Sequence, residues 1–334
     1  MKPLVSILIP AYNAGPFIAE TLRSALAQTW PRTEIIVVDD GSKDDTLAIA
    51  QKFAAANVTV VTQKNAGAAT ARNRAFELAK GDYIQWLDAD DLLAPDKIEL
   101  QMAVAGKNAD KKTLYSSAWG RFMFRTSKAE FDHSALWADL DRAEWLRRKM
   151  GQNLHMQPAT WLVSRELTQA AGPWNTRLSL DDDGEYFCRV LMASNGVKFV
   201  PGAKCFYRIS SLGSLSVVDQ SDKKLESLWF SMQAHIRFLL SLEDSPRTRD
   251  AILVYLGNWL NYFNPTRPDI IAAAQELAAS LDRQLAAPTL RRKYAWLKNI
   301  FGNRLASRLQ MLLPQWRRHV LLAWDKFMYW RECR

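Results

Sequence analysis

Four short apolar, β-branched runs punctuate the first ninety residues, VSILIP, EIIVVDD, VTVVTQ and YIQWLDAD, and three helical patterns lie between them, Phe17 to Gln28, Thr46 to Ala55 and Ala68 to Lys80. Runs that are apolar on both faces belong to strands covered on both sides. Strands alternating with helices then imply a parallel sheet with right-handed crossovers. This predicts a doubly wound α/β half-domain. In such sheets ligands bind outside the carboxyl ends of the strands, and each run here ends in a polar cluster: Pro10-Ala11-Tyr12-Asn13, Asp39-Asp40-Gly41-Ser42, Lys64-Asn65-Ala66-Gly67 and Asp88-Ala89-Asp90-Asp91.

After about Thr113 the alternation weakens and aromatic residues increase. LYSSAWGRFMF reads as a strand, Trp137 to Met150 as a helix, and VKFVPGAKCFYRI as a strand or hairpin. Between them LSLDDDGEYFCRVLMAS suits a helix opened by acidic residues. From Ser221 onward the pattern is helical and rich in Trp and Arg, with breaks at Pro265, Pro268, Pro288 and Pro314. The expected division is a catalytic unit over residues 1–220, split into a nucleotide-binding half (1–110) and an acceptor half (111–220), followed by a basic helical region over 221–334.

Several function classes are disfavoured by composition. Three scattered cysteines supply neither a disulfide framework nor a CxxC site, and four isolated histidines give no zinc pattern. No N-terminal stretch reads as a secretory signal, and no apolar run approaches the roughly 20 residues that cross a bilayer. The formal charge of +9 is local: residues 285–334 hold 11 Lys or Arg and 2 acids, leaving 33 of each sign elsewhere. An acidic partner is therefore expected at the tail. Charge alone, without a recognised binding motif, does not make a nucleic-acid protein.

The carboxylates carry the chemistry. Asp88 and Asp90 follow a strand in a turn, where both can reach one ligand, and oxygen ligands of this kind suit Mg²⁺ or Mn²⁺ completed by phosphate oxygens. Turn formation explains a lone DxD equally simply. Asp39 faces the sheet edge, where it can serve a ligand or merely form the turn, while Asp44 and Asp45 suit the start of the next helix. Lys64, Arg72 and Asn73 flank the Gly67 turn, a place for phosphate or base contacts, although Arg72 also suits an ion pair. Asp182 and Asp183 open a helix, which fits capping as well as a general base.

Taken together, VSILIPAYNAGPFIAETLRSALAQTWPRTEIIVVDDGSKDDT, NAGAATARNRAFELAKGDYIQWLDADD and LDDDGEYFCR resemble the inverting family 2 glycosyltransferases of the GT-A fold, in the family's order and spacing over about residues 4–215. The resemblance implies a GT-A type doubly wound, mainly parallel sheet flanked by helices, with a C-terminal helical extension. It implies that Pro10, Ala11, Tyr12 and Asn13 border the nucleotide, that Asp39 holds the base, that Lys64 and Arg72 contact the donor, that Asp88 lies near the ribose and that Asp90 binds Mn²⁺ or Mg²⁺. Asp183, six residues before Arg189, takes the role of base, with Asp182 beside it. Where the family usually writes Glu-Asp and an aromatic, this chain has Asp182-Asp183-Gly184. Arg208 and Ser214 match a family segment that reaches phosphate, though an ion pair explains Arg208 as well.

The expected activity is inverting, metal-dependent transfer of a hexosyl group from a nucleoside-diphosphate sugar, UDP-sugar by the family's commonest habit, to a carbohydrate or lipid-linked acceptor in polysaccharide or glycolipid synthesis. Trp161 and Trp174 offer stacking faces for a sugar, although burial is the commoner fate of Trp. The tail carries Trp296, Trp316, Trp324 and Trp330 among its cations. It suits either an anionic membrane surface or packing on the catalytic unit. Cytoplasmic residence, with peripheral contact on the inner face of a membrane, is the corresponding expectation. The alternatives are a metal-dependent nucleotidyltransferase, for which IPAYNAGPF is a poor phosphate loop, and an inactive nucleotide-binding or membrane-surface adaptor.

Overall fold

The computed structural model describes residues 2–108, 110–209, 221–264, 266–287 and 321–331. In chain order the nucleotide-side half contains β1 (Val5–Ala11), α1 (Ile18–Leu26), β2 (Thr33–Asp39), α2 (Thr46–Gln51), β3 (Val58–Thr62), α3 (Ala68–Leu78) and β4 (Tyr83–Trp86). Strands β1 to β4 are parallel and lie in the order β3-β2-β1-β4. Their side chains divide between two apolar layers. Leu8, Ile36, Val38 and Ile84 join one cluster, while Val5, Ile7, Ile9, Ile35 and Val37 join the other. Burial on both faces is what the unbroken apolar runs require.

The chain continues through β5 (Leu92–Leu93), α4 (Lys97–Asn108), β6 (Thr113–Phe122), α5 (Arg142–Gly151), β7 (Val163–Ser164), α6 (Arg165–Ala171), α7 (Asp182–Ala193) and β8 (Gly196–Arg208). Strand β7 closes the first sheet antiparallel to β4, and β5, β8 and β6 form a second sheet of three strands. The stretch predicted as strand or hairpin is one bulged strand, since Val200 pairs with Ser117 but Lys204 with Ala118. Proline at 201, which cannot donate to the ladder, accounts for the bulge. Helix α5 begins later than the predicted Trp137, because Asp141 caps it by accepting from Glu144 N–H at 2.8 Å.

Three further helices follow, α8 (Asp222–Leu242), α9 (Pro246–Phe263) and α10 (Pro268–Ser280), and a last helix, α11, spans 321–331. Leu225, Leu228, Met232 and Ile236 of α8, with Ile252 and Leu256 of α9, share the cluster that also holds Leu8, Trp86 and Tyr186. The basic region therefore begins with helices that complete the core. No helix among the described residues is long and apolar enough to cross a membrane.

Candidate active site

The rim of the first sheet is cross-braced before any ligand enters. Ala11 and Asp39 are register partners on β1 and β2. Asp39 is buried, and its Oδ2 accepts from Ser42 N–H at 3.3 Å and Thr62 Oγ1 at 2.9 Å, while Oδ1 has no partner. A buried carboxylate oxygen without a donor is costly. It offers a ligand N–H or O–H an acceptor already paid for by the fold. Half-buried Pro10 and buried Ala11 lead to exposed Tyr12 and Asn13. Asn13, with φ 49, fixes the neighbouring loop by donating N–H to Ser42 Oγ at 3.0 Å and accepting from Lys43 N–H at 2.8 Å.

Asp44, one residue before the N-cap Asp45, accepts from Thr46 N–H at the start of α2 at 3.0 Å and also holds Gly15 N–H at 3.0 Å. Asp40 has a bracing role that the sequence did not disclose. Its carboxylate accepts from Gln63 Nε2 at 2.8 Å, Ala66 N–H at 2.9 Å and Gly67 N–H at 2.8 Å, which fixes the loop carrying Lys64. Lys64 itself lies exposed on that loop. Gly41, at φ 69, admits no side chain, because a Cβ there would meet Asn65 N at 2.9 Å.

Arg72 on α3 connects clusters far apart in sequence. One guanidinium nitrogen donates to Asp88 Oδ1 at 2.8 Å, 16 positions away, and the other to Asp182 Oδ2 at 2.8 Å, 110 positions away. The guanidinium lies over the Trp174 ring, 4.4 Å from its centroid. Buried between two carboxylates, Arg72 is held even more firmly protonated than usual by Asp88 and then Asp182, against the opposing effect of burial. Trp174 stacks in turn on Tyr186 with centroids 4.0 Å apart. Both Trp161 and Trp174 are buried, so neither presents the sugar-stacking face considered from sequence.

The acidic opening of α7 is part-buried. Burial first, then the charges of Asp182 and Asp181, push Asp183 up to about 7. Asp183 Oδ1 accepts from Gly184 N–H at 2.9 Å. Asp182 is also raised by burial, but Arg72 pulls against that rise and occupies its Oδ2. Arg189, the motif arginine, grips Glu185 through two bonds of 2.8 and 2.9 Å and donates to Pro173 O at 2.9 Å.

Helix α8 holds the approach to α7. Ser227 Oγ accepts from Ser179 N–H and Leu180 N–H, each at 3.0 Å, and donates to Leu180 O at 2.6 Å. Ser231 Oγ donates to Asp181 Oδ2, and Asp181 sits at φ 57. A Cβ on Gly184 would lie 2.2 Å from Asp181 Oδ1, so the glycine makes room for this carboxylate. No pattern in the sequence points to the α8 contacts.

Arg208 at the end of β8 is wholly committed to structure. It donates to Asp90 O at 2.8 Å, Met123 O at 3.0 Å and Glu20 Oε2 at 2.6 Å, while its backbone N–H binds Asp91 Oδ1 at 2.8 Å. The ion pair weighed for it against a phosphate role is thus made, to Glu20. Ser214 lies outside the described residues. Asp91 is buried, with Oδ2 unpartnered, and burial together with the charges of Asp90 and Asp88 pushes it well above the usual carboxylate range.

Asp88, Asp90 and Asp91 gather three carboxylates at one strand end, with Asp88 Oδ1 paired to Arg72 and Asp91 Oδ1 to Arg208 N–H, and hard oxygen donors of this kind suit a divalent cation. Among the described residues no set of three or more side chains is arranged to hold a metal. An ion such as Mg²⁺ or Mn²⁺ would be taken by one or two carboxylates and completed by phosphate oxygens.

The family described as Glycosyl transferase family 2 matches residues 6–170. Glycosyltransferase GlyG of Streptococcus pneumoniae is 31% identical over 220 residues, which cover 62% of this chain and 71% of that protein. The chain belongs to glycosyltransferase family 2. Chondroitin synthase of Escherichia coli is 44% identical to this family 2 chain over 117 residues, 34% of this chain and 17% of the synthase. The match to an uncharacterized glycosyltransferase of Rickettsia typhi, 43% identical over 113 residues, covers 35% of that protein, so the chain spans about a third or less of the length of these two relatives. Among solved structures, S. aureus TarS 1–349, crystallised with UDP and with UDP-GlcNAc, matches with a TM-score of 0.59 at 17% identity over 91% of this chain and 90% of that one. At that identity the likeness establishes the GT-A type fold.

Proposed function

We propose that this family 2 glycosyltransferase moves a sugar from a nucleoside-diphosphate donor, UDP-sugar foremost, to an acceptor hydroxyl with inversion at the anomeric carbon. The observation carrying this reading is the Arg72 bridge, which joins Asp88 at a sheet strand end to Asp182 at the start of α7 and so ties the two acidic clusters together. The TarS complexes with UDP and UDP-GlcNAc support the donor class, and the chondroitin synthase relative supports glycan synthesis.

Asp39, with its unpartnered Oδ1, accepts a donor hydrogen bond from the nucleotide base. Pro10, Ala11, Tyr12 and Asn13 form the edge against which the nucleoside lies, Lys64 offers charge to the diphosphate, and Arg72 holds the Asp88 carboxylate in place beside the ribose. Asp90 holds the divalent ion, which when bound neutralises charge on the departing diphosphate. Asp183 accepts the acceptor's hydroxyl proton. The oxygen's electron pair forms the new bond to the anomeric carbon as the bond to phosphate oxygen breaks on the opposite face. A carboxylate raised to about 7 is a better proton acceptor than an ordinary aspartate and still ionises near neutral pH. Asp182 is the poorer base, because Arg72 occupies it. The acceptor is a carbohydrate or lipid-linked hydroxyl met by the half after β4.

Thermal-shift measurements with UDP-, GDP- and dTDP-sugars, with and without Mn²⁺, test the donor side. A bound donor stabilises the fold by mass action. The largest shift is expected for UDP-sugar with metal; no shift with any nucleotide sugar would overturn the reading.

A further inference from the structure

Among the described residues, helix α11 is fastened to the rest of the protein through Leu322, Asp325 and Tyr329. Leu322 is buried, and Asp325 accepts from Phe124 N–H at 2.9 Å and from Arg125 Nε at 2.7 Å, while the Tyr329 and Phe124 rings lie 6.2 Å apart. At helical spacing Leu322, Asp325 and Tyr329 share a stripe, and Leu321, Trp324, Phe327 and Trp330 fall outside it. These last four are 45%, 61%, 49% and 54% exposed. Five of the nine large apolar side chains exposed among the described residues belong to this one helix. An outward apolar face on a helix fixed from behind calls for a cover.

We propose that this face docks on an anionic lipid bilayer. Two features favour a bilayer over a protein groove. Trp, Tyr and Phe beside Lys326 and Arg331 are the mixture that settles at the headgroup boundary. The surrounding sequence is also strongly cationic: residues 285–334 carry 11 Lys or Arg against 2 acids, and one of those acids, Asp325, is turned inward onto Arg125. Basic residues near an anionic surface strengthen such binding.

The anchoring contacts also link the helix to the segment that Arg208 ties to Asp90. Phe124 and Arg125 follow β6, and the neighbouring Met123 O is held by Arg208, which also binds Asp90 O. A bilayer touching α11 therefore borders the acceptor side of the site. Resting on the transfer proposed above, this geometry points to a lipid-linked acceptor drawn from the membrane plane.

Vesicle flotation of the full chain tests the surface without donor or acceptor. Vesicles of phosphatidylcholine alone are compared with vesicles containing about 30% phosphatidylglycerol, using wild type and the triple variant Trp324→Ser, Phe327→Ser and Trp330→Ser. The wild type should partition onto the anionic vesicles, weaken in high salt, and lose tenfold or more of its binding in the triple variant, with circular dichroism unchanged. Equal binding by the variant, or no wild-type binding to either vesicle, overturns the proposal. So does a concentration-dependent dimer in sedimentation velocity that the triple substitution abolishes without vesicle binding, since the face then belongs to a second copy. Donor hydrolysis measured in buffer reports separately on the transferase reading, which a failure of lipid binding leaves standing.

Discussion

Ser231 donates its hydroxyl hydrogen to Asp181 Oδ2 across 50 positions of sequence, tying α8 to the residue that precedes the two candidate catalytic aspartates. Asp181 sits at φ 57, which a non-glycine residue holds only under constraint. Replacing Ser231 with Ala should relax that turn. Stability should fall by about 1 to 3 kcal/mol, and kcat should drop about tenfold while donor KM stays near wild type. Urea denaturation and steady-state kinetics check both effects, and an unchanged kcat would show that the contact is structural only.

Gly184→Ala attacks the same spot from the other side. The new Cβ would sit 2.2 Å from Asp181 Oδ1, so the first turn of α7 has to move. Donor binding, which depends on the sheet rim, should survive in a thermal-shift titration while transfer falls by more than tenfold, because small displacements of a proton acceptor are costly.

Arg72 is buried and serves two carboxylates at once. Its removal as Arg72→Ala leaves Asp88 and Asp182 without their cation, an outcome that costs about 3 to 5 kcal/mol when an ion pair is broken from one side. Arg72→Lys should recover only part of the loss, since an ammonium lacks the planar fork that reaches both partners and stacks on Trp174. Melting temperatures of the three proteins decide this; equal melting would mean the bridge contributes nothing.

The pH dependence follows from Asp183. With its carboxyl at about 7, the proton-accepting form is lost below neutrality, and transfer should fall roughly tenfold per pH unit under pH 6. Stability runs the other way. A carboxyl raised from 3.8 in the unfolded chain to about 7 favours the fold below pH 3.8, and that contribution is lost as pH rises through 7. Asp183→Asn should therefore be nearly inactive, yet melt higher than wild type at pH 8, with the difference shrinking toward pH 4. A variant that melts lower than wild type at pH 8 would contradict the burial argument.

Asp90→Ala tests the metal side. The Mn²⁺-dependent part of the UDP-sugar thermal shift should disappear, leaving the smaller shift seen with the nucleotide alone. Retention of the full metal effect would move the ion to other carboxylates.

The sequence by itself determined the parallel sheet, the order of polar clusters at its strand ends and the family, because strands covered on both faces must be apolar throughout and cannot hide that pattern. The late start of α5 was also readable, since Asp141 and Glu144 have the spacing of a helix cap. Tertiary structure alone decided which polar residues face a ligand and which serve the fold. Arg208, legible as a phosphate ligand, is consumed by Asp90 O, Met123 O and Glu20. Trp161 and Trp174, legible as sugar platforms, are core. Arg72 became the bridge between acidic clusters, and α8 a support for the Asp181 turn. Local composition fixes what a strand or helix can bury; the partner of a charge 110 positions away depends on how layers close over one another, and no window of sequence contains both ends of that contact.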